Sequence, residues 1–291
     1  LMKFSDRLEA RIQACGNPIC LGMDPKLSLM PVERKHPSVK TAEEKIRFFY
    51  MDILEECARR NVAPAVVKPN SAYYECVSIE GMKVLHDLIL AYKGEGIPVI
   101  LDAKRGDIGK TSSAYADAAF NVYRADAVTV SPWMGKDSVG PFLEHPTGSG
   151  VYLLLRTSNK GAADFQDMPV NGEPAFFQVA SKILEWDNGN LGAVVGATHP
   201  EELERITAFF TTAKHEIPFL IPGVSIPGVP GGQGGDAKTV LEAISNGGGK
   251  RKFHVLNSSS GLNFAWQRTG KEAEYASACV DALEALADAI R

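Results

Sequence analysis

Cysteine is scarce in this chain, and no long stretch carries charge of one sign. The 291 residues include only five cysteines, at 15, 20, 57, 76 and 279. Their number is odd and their spacings match no zinc pattern. A disulfide framework is therefore not expected, and reduced thiols in a cytoplasmic protein are. Formal net charge is -4, and the one basic run, "GKRKFH" at 249–254, is short. That argues against nucleic acid as a partner, because phosphates demand a basic face. The six histidines at 36, 86, 145, 199, 215 and 254 form no H-x-H or H-E-x-x-H, so no built-in metal is expected. No apolar run approaches the roughly 18 residues of a membrane span. The opening "LMKFSDRLEARIQ" is amphipathic with mixed charge and does not read as a signal peptide. Leu1 ahead of Met2 reads as a leftover residue outside the native start.

What the chain does hold is eight short apolar runs. They are "PICLGMD" (18–24), "PAVVKPN" (64–70), "PVILDAK" (98–104), "AVTVSP" (127–132), "GVYLLLRTSN" (150–159), "LGAVVGAT" (191–198), "FLIPGV" (219–224) and "FHVLNSS" (253–259). Most are continuous rather than alternating, which is how strands buried on both faces read. Helical patterns lie between them, near 80–93, 109–123, 174–186, 200–213, 236–246 and 271–289. Another, "TAEEKIRFFYMDILEECARR" (41–60), has an i, i+3, i+4 apolar stripe, and Thr41 with Glu44 makes a capping box. The helix after the fourth strand is shorter and interrupted by Pro141. Eight strand–helix units without a composition break predict an α/β fold: one (β/α)8 barrel domain spanning 1–291. An open doubly wound sheet would show G-x-G-x-x-G after its first strand, and "LGMDPKL" is not that.

In such a barrel the strand C-termini share one face, and chemistry sits there. The polar residues at those ends are Asp24; Lys68 and Asn70; Asp102 and Lys104, with Asp107 in the turn; Arg156 to Asn159; Thr198 and His199; and Asn257 to Ser260. Asp102 and Lys104 are two apart and so point to one side of their strand, toward the mouth. With Asp107 close by, carboxylate, ammonium and carboxylate are expected within a few ångströms. That arrangement suits a proton donor beside a developing carbanion. The bland alternative, a solvated turn with an incidental ion pair, is weakened by Lys68 and Asp24 converging on the same mouth. His199, at the start of a helix, is a lesser candidate. Cys15, Cys20 and Cys57 read as core thiols.

Phosphate is the second theme. "GVPGGQGGDAKTV" places glycines at 228, 231, 232, 234 and 235 ahead of a helix, and "NSSSGLNFA" follows the eighth strand. Main-chain N–H groups free of side chains bind anions, and the loops after strands seven and eight are where barrels hold phosphate. The glycines and prolines across 223–235 also suit a closing lid.

These residues resemble the orotidine 5′-phosphate decarboxylase family, in its longer bacterial-type subgroup. The D-x-K-x-x-D-I-x-x-T signature stands complete as Asp102, Lys104, Asp107, Ile108 and Thr111. "LGMDP", "VVKPNSAYYE", "LLLRTSN" and "IPGV…GGQGGD" resemble further segments of the family, in order. The resemblance implies cofactor-independent decarboxylation of orotidine 5′-phosphate to UMP and CO2, the last step of pyrimidine nucleotide synthesis. It implies that Lys104 protonates C6, and that Asp102 sits against the substrate carboxylate and holds Lys104. Lys68 completes a Lys–Asp–Lys–Asp array and, with Asp24, binds ribose hydroxyls; Asn70 belongs to the same segment. Ser158 reads the pyrimidine amide edge, Pro222 walls the carboxylate pocket, and Gln233 bridges base and phosphate. Gly234, Gly235, Ser259, Ser260 and Gly261 cradle the phosphate. Asp107, Ile108 and Thr111 are given across a homodimer interface to the neighbour's site.

One position departs from the pattern. Ser260 stands where the family usually carries a phosphate-binding arginine, and a serine cannot make a bidentate clamp. Main-chain groups and hydroxyls could suffice, or Arg251 or Arg268 could reach in. Two other readings of the chain remain at this level: a metal-dependent phosphosugar decarboxylase or synthase on the same fold, and a non-catalytic nucleotide-binding barrel.

Overall fold

Each of the eight apolar runs forms a strand. In this computed structural model, which describes residues 2–225 and 235–290, they are β1 (Ile19–Met23), β2 (Val66–Pro69), β3 (Ile100–Arg105), β4 (Ala127–Val130), β5 (Gly150–Arg156), β6 (Leu191–Val195), β7 (Phe219–Pro222) and β8 (Val255–Ser258). All pair in parallel, in the order β2-β1-β8-β7-β6-β5-β4-β3. Parallel bridges Val67–Val99 and Asn70–Asp102 join β2 to β3 and close the ring. The fold is a (β/α)8 barrel.

The outer helices follow the apolar stripes. They are α2 (Ala42–Arg60), α3 (Ile79–Gly94), α4 (Gly109–Asp117), α5 (Lys136–Leu143), α6 (Phe176–Trp186), α7 (Pro200–Thr212), α8 (Ala237–Asn246) and α9 (Tyr275–Ala289), preceded by α1 (Phe4–Cys15). The capping box is present: Thr41 accepts the Glu44 N–H, and Glu44 reaches back to the N-cap main chain. α5 accommodates Pro141 in its interior. α4 is shorter than its pattern suggests, because the chain continues as a π-helical turn over Ala118–Val122. A small hairpin, Pro169–Val170 with Glu173–Pro174, lies between β5 and α6 and has no counterpart in the sequence reading.

The barrel interior explains which end does chemistry. Its lower layer is apolar: Cys20, Val66, Ile100, Ala127, Tyr152, Val194, Leu220 and Val255 pack with Phe4, Leu8 and Ile12 of α1. The i, i+4, i+8 spacing puts those three on one helix face, so α1 plugs the bottom. One step up, at the C-terminal ends, the layer turns polar. Lys68, Asp102, Thr129 and Asn257 are all buried there.

Candidate active site

Burying an ion is costly unless an opposite charge and hydrogen bonds compensate it. At the mouth, compensation is nearly complete. Asp102 Oδ2 accepts from Lys68 Nζ at 2.8 Å, and Oδ1 accepts from Lys104 Nζ at 2.7 Å. Thr129 Oγ1 donates to the same Oδ1 at 2.8 Å. Burial pushes the Asp102 carboxyl up, but the two ammonium groups outweigh it and hold it well below the usual carboxylate range. Burial likewise pushes the Lys68 ammonium down. Asp102, Asp24 and Cys20 outweigh that and raise it above the usual lysine value. Asp24 therefore acts on the same array, and its Oδ1 is buried with no partner among the described residues.

Lys68 and Lys104 differ in a way that matters. The Lys68 side chain is 6% exposed, whereas that of Lys104 is 48% exposed. One ammonium is locked inside and the other faces the open mouth. Lys104 also has φ +44°, a conformation a lysine rarely adopts and one that clusters at functional sites. It follows a break in register, where β3 and β4 pair at Leu101–Val128 and next at Arg105–Val130.

Asp107 departs from the expectation that it lies beside Lys104. Its Oδ1 accepts its neighbour Ile108 N–H at 2.8 Å. Among the described residues, Asp102 is the one ion-pair partner of Lys104. Asp107 is half-buried in the turn, and Ile108 and Thr111 beyond it are exposed. Arg105, which had no role in the sequence reading, pairs with Glu75 at 3.3 Å and lies over the Tyr115 ring.

Around the array the remaining residues fall into place by strand. Ser158 follows β5 and is half-buried. Gly196, just past β6, lies against it: a Cβ there would sit 2.9 Å from the Ser158 Cβ. Arg156 anchors the same segment through Glu202 (2.6 and 3.0 Å) and Asp167 (3.0 Å). Gln166 Oε1 accepts the Thr157 N–H at 2.9 Å. Asn70 turns its Oδ1 to the Ala72 N–H at 3.2 Å. Pro222 ends β7, and its carbonyl accepts the Ala197 N–H.

The expected phosphate loop is described only at its ends. Gln233 and Gly234 lie outside the described residues. Gly235 accepts the Ser225 N–H at 3.2 Å, so the two ends of the loop meet. A Cβ on Gly235 would be 2.2 Å from the Ala197 carbonyl oxygen, a contact only glycine permits. Ser259, Ser260 and Gly261 follow β8 at the mouth, and Arg268 donates to the Gly261 carbonyl at 3.1 Å. Arg251 is ruled out as a mouth residue. It lies in a turn before β8, at the end of the barrel that α1 closes. His199 is exposed at the N-terminus of α7.

Thr129 is the member of this hydrogen-bonded array that sequence reasoning missed. A lone threonine inside "AVTV" satisfies strand propensity and draws no notice. The usable signal was its even spacing with the inward-facing Ala127. A separate hollow of about 880 Å³ lies at the closed end, lined by Arg11, Cys15, Asn61, Glu95, Glu284 and Asp288 among others. Arg11 there is bonded to the carbonyls of Pro64 and Ala65.

Known proteins share the sequence and the fold. Residues 18–250 match the family model described as orotidine 5′-phosphate decarboxylase / HUMPS. A Halorubrum lacusprofundi protein named orotidine 5′-phosphate decarboxylase is 38% identical, over 98% of this chain and 97% of its own length. The Leishmania donovani OMP decarboxylase structure superposes with a TM-score of 0.73 at 32% identity, over 99% of both chains. The Leishmania donovani UMP synthase structure gives 0.75 at 33% identity, covering 99% of this chain and 57% of that one. By the buried Lys–Asp–Lys array at the barrel mouth and by these matches, the chain belongs to the orotidine 5′-phosphate decarboxylase / HUMPS family.

Proposed function

We propose that this chain converts orotidine 5′-phosphate to UMP and CO2 without a cofactor, as the closing step of pyrimidine nucleotide synthesis, in the cytoplasm and as a single barrel unit. The observation that carries it is the Lys68–Asp102–Lys104 relay at 2.8 and 2.7 Å. The C6–carboxylate bond breaks, CO2 leaves, and the electron pair stays on C6 in the ring plane, where the π system gives no help. Lys104 Nζ delivers a proton to C6 and regains one from water. Stabilisation must come from charge already in place, and a half-exposed ammonium beside a locked aspartate supplies it. Asp102 adjoins the substrate carboxylate. Lys68 and Asp24 take ribose hydroxyls, with Asn70 beside them. Ser158 reads the base, and Pro222 walls the carboxylate pocket. Gln233, Gly234, Gly235, Ser259, Ser260 and Gly261 hold the phosphate. Arg268, which donates to the Gly261 carbonyl at 3.1 Å, takes the part of the expected arginine.

The working form is a homodimer with shared sites. Asp107 makes no ion pair with its own Lys104 among the described residues, and exposed apolar side chains lie on the segments that follow: Ile108, Trp133, Met134, Phe165 and Met168 are 53%, 75%, 45%, 57% and 43% exposed. The Trp133 and Phe165 rings lie 5.6 Å apart, tilted at 60° to each other. An exposed patch of this kind marks an interface, and a second copy would deliver Asp107, Ile108 and Thr111 to the neighbouring mouth.

The test is a spectrophotometric assay of orotidine 5′-phosphate with and without chelator. Turnover indifferent to chelator is expected. Turnover abolished by chelator would point to the metal-dependent branch of the fold, and tight UMP binding without turnover would point to a non-catalytic barrel.

A further inference from the structure

The charged array has a member that carries no charge. Thr129 is 1% exposed on β4. Between the pairs Leu101–Val128 and Arg105–Val130, three residues of β3 face this single residue of β4. A bulge of that kind removes ladder partners from the bulged strand. Here the Lys104 N–H donates to Thr129 Oγ1 at 2.9 Å. The hydroxyl, already an acceptor, turns its own proton to Asp102 Oδ1 at 2.8 Å. Lys104 Nζ reaches that same oxygen at 2.7 Å. Main chain, hydroxyl, carboxylate and ammonium therefore form a closed ring.

We propose that Thr129 is a positioning residue for the proton transfer: its hydroxyl holds the bulge that folds the Lys104 ammonium back over Asp102. This rests on the reading of Lys104 as proton donor. A lysine has a long, flexible stem, and this one is half-exposed, so its side chain alone does not fix where the ammonium stands. The left-handed backbone at Lys104 is a strained state that must be held from outside. Among the described residues, the Thr129 hydroxyl is what holds its N–H. Valine has the same shape and lacks the hydroxyl, so Thr129→Val removes the hold while keeping the packing. Serine restores it.

The experiment compares the unaltered chain with Thr129→Val and Thr129→Ser, with active sites counted by UMP binding. Thr129→Val is expected to lower kcat per site by about 10- to 100-fold, the range for one hydrogen bond to a charged group. Its KM is expected to stay within about threefold, because no base, ribose or phosphate contact is touched. Exchange of the UMP C6 hydrogen in D2O, which reads Lys104 without decarboxylation, is expected to slow in parallel. Thr129→Ser is expected to recover most of both rates. A merely structural residue would lower the count of active sites and leave the rate per site alone. A Thr129→Val rate per site equal to that of the unaltered chain overturns the proposal, as does a Thr129→Ser chain as slow as Thr129→Val. If Thr129→Val does not fold, Thr129→Ala, which adds no bulk, takes its place under the same criteria. If the unaltered chain itself does not decarboxylate orotidine 5′-phosphate, it is the functional reading that fails.

Discussion

The Lys68 ammonium lies 2.8 Å from Asp102 Oδ2, and both side chains are almost fully buried. Removing one partner of such a pair leaves an uncompensated buried charge. Asp102→Asn is therefore expected to destabilise the fold by about 3 kcal/mol as well as to stop catalysis. Urea unfolding of the variant checks this.

The same pair predicts a pH dependence. The folded Asp102 carboxyl is held below its usual range, with burial opposing and the two lysines prevailing. Its contribution to stability is therefore complete above its ordinary value of about 4 and is lost as pH falls below that. Between pH 6 and pH 3 the unaltered chain should lose more stability than Asp102→Asn does. Parallel acid profiles for the two chains would contradict the assignment.

Gly196 tests the grip on the base. A Cβ there would stand 2.9 Å from the Ser158 Cβ, so Gly196→Ala must displace Ser158. The expected outcome is a KM for orotidine 5′-phosphate raised about tenfold, with a smaller change in kcat. Steady-state kinetics on the purified variant decides it.

Shared sites predict complementation. Lys104→Ala and Asp107→Ala chains are each expected to be inactive, yet a hybrid dimer contains one intact site. Random reassociation makes about half the dimers hybrid, so mixing should restore about a quarter of the normal activity. Recovery absent after confirmed subunit exchange would place Asp107 in its own chain's site or in none.

Much of this was legible in the amino-acid order, and the gaps have physical causes. The strands show as unbroken apolar runs because both their faces are buried, and the Thr41–Glu44 box marks the start of α2 directly. Asp102, Lys104 and Lys68 stand out because charge at the end of a buried strand needs a reason. The bulge that joins them has no local mark: "LDAKR" contains neither glycine nor proline. Thr129 acquires its meaning from a hydrogen bond across strands to a residue 25 positions earlier. Arg156 finds Glu202 at 46 positions' remove, which no periodicity reports. Asp107 is expected beside Lys104 because sequence proximity gives distance but not direction, and in the turn its carboxylate takes the Ile108 N–H instead.

The most direct measurement is turnover of orotidine 5′-phosphate by Lys104→Ala. The half-exposed side chain of Lys104 contributes little to the packed core, so the variant should remain folded, with an unchanged circular dichroism spectrum. Its kcat should fall by about 1,000-fold or more, the scale of losing both a positioned acid and a preorganised charge. A folded Lys104→Ala chain that turns over at a near-normal rate would contradict the account.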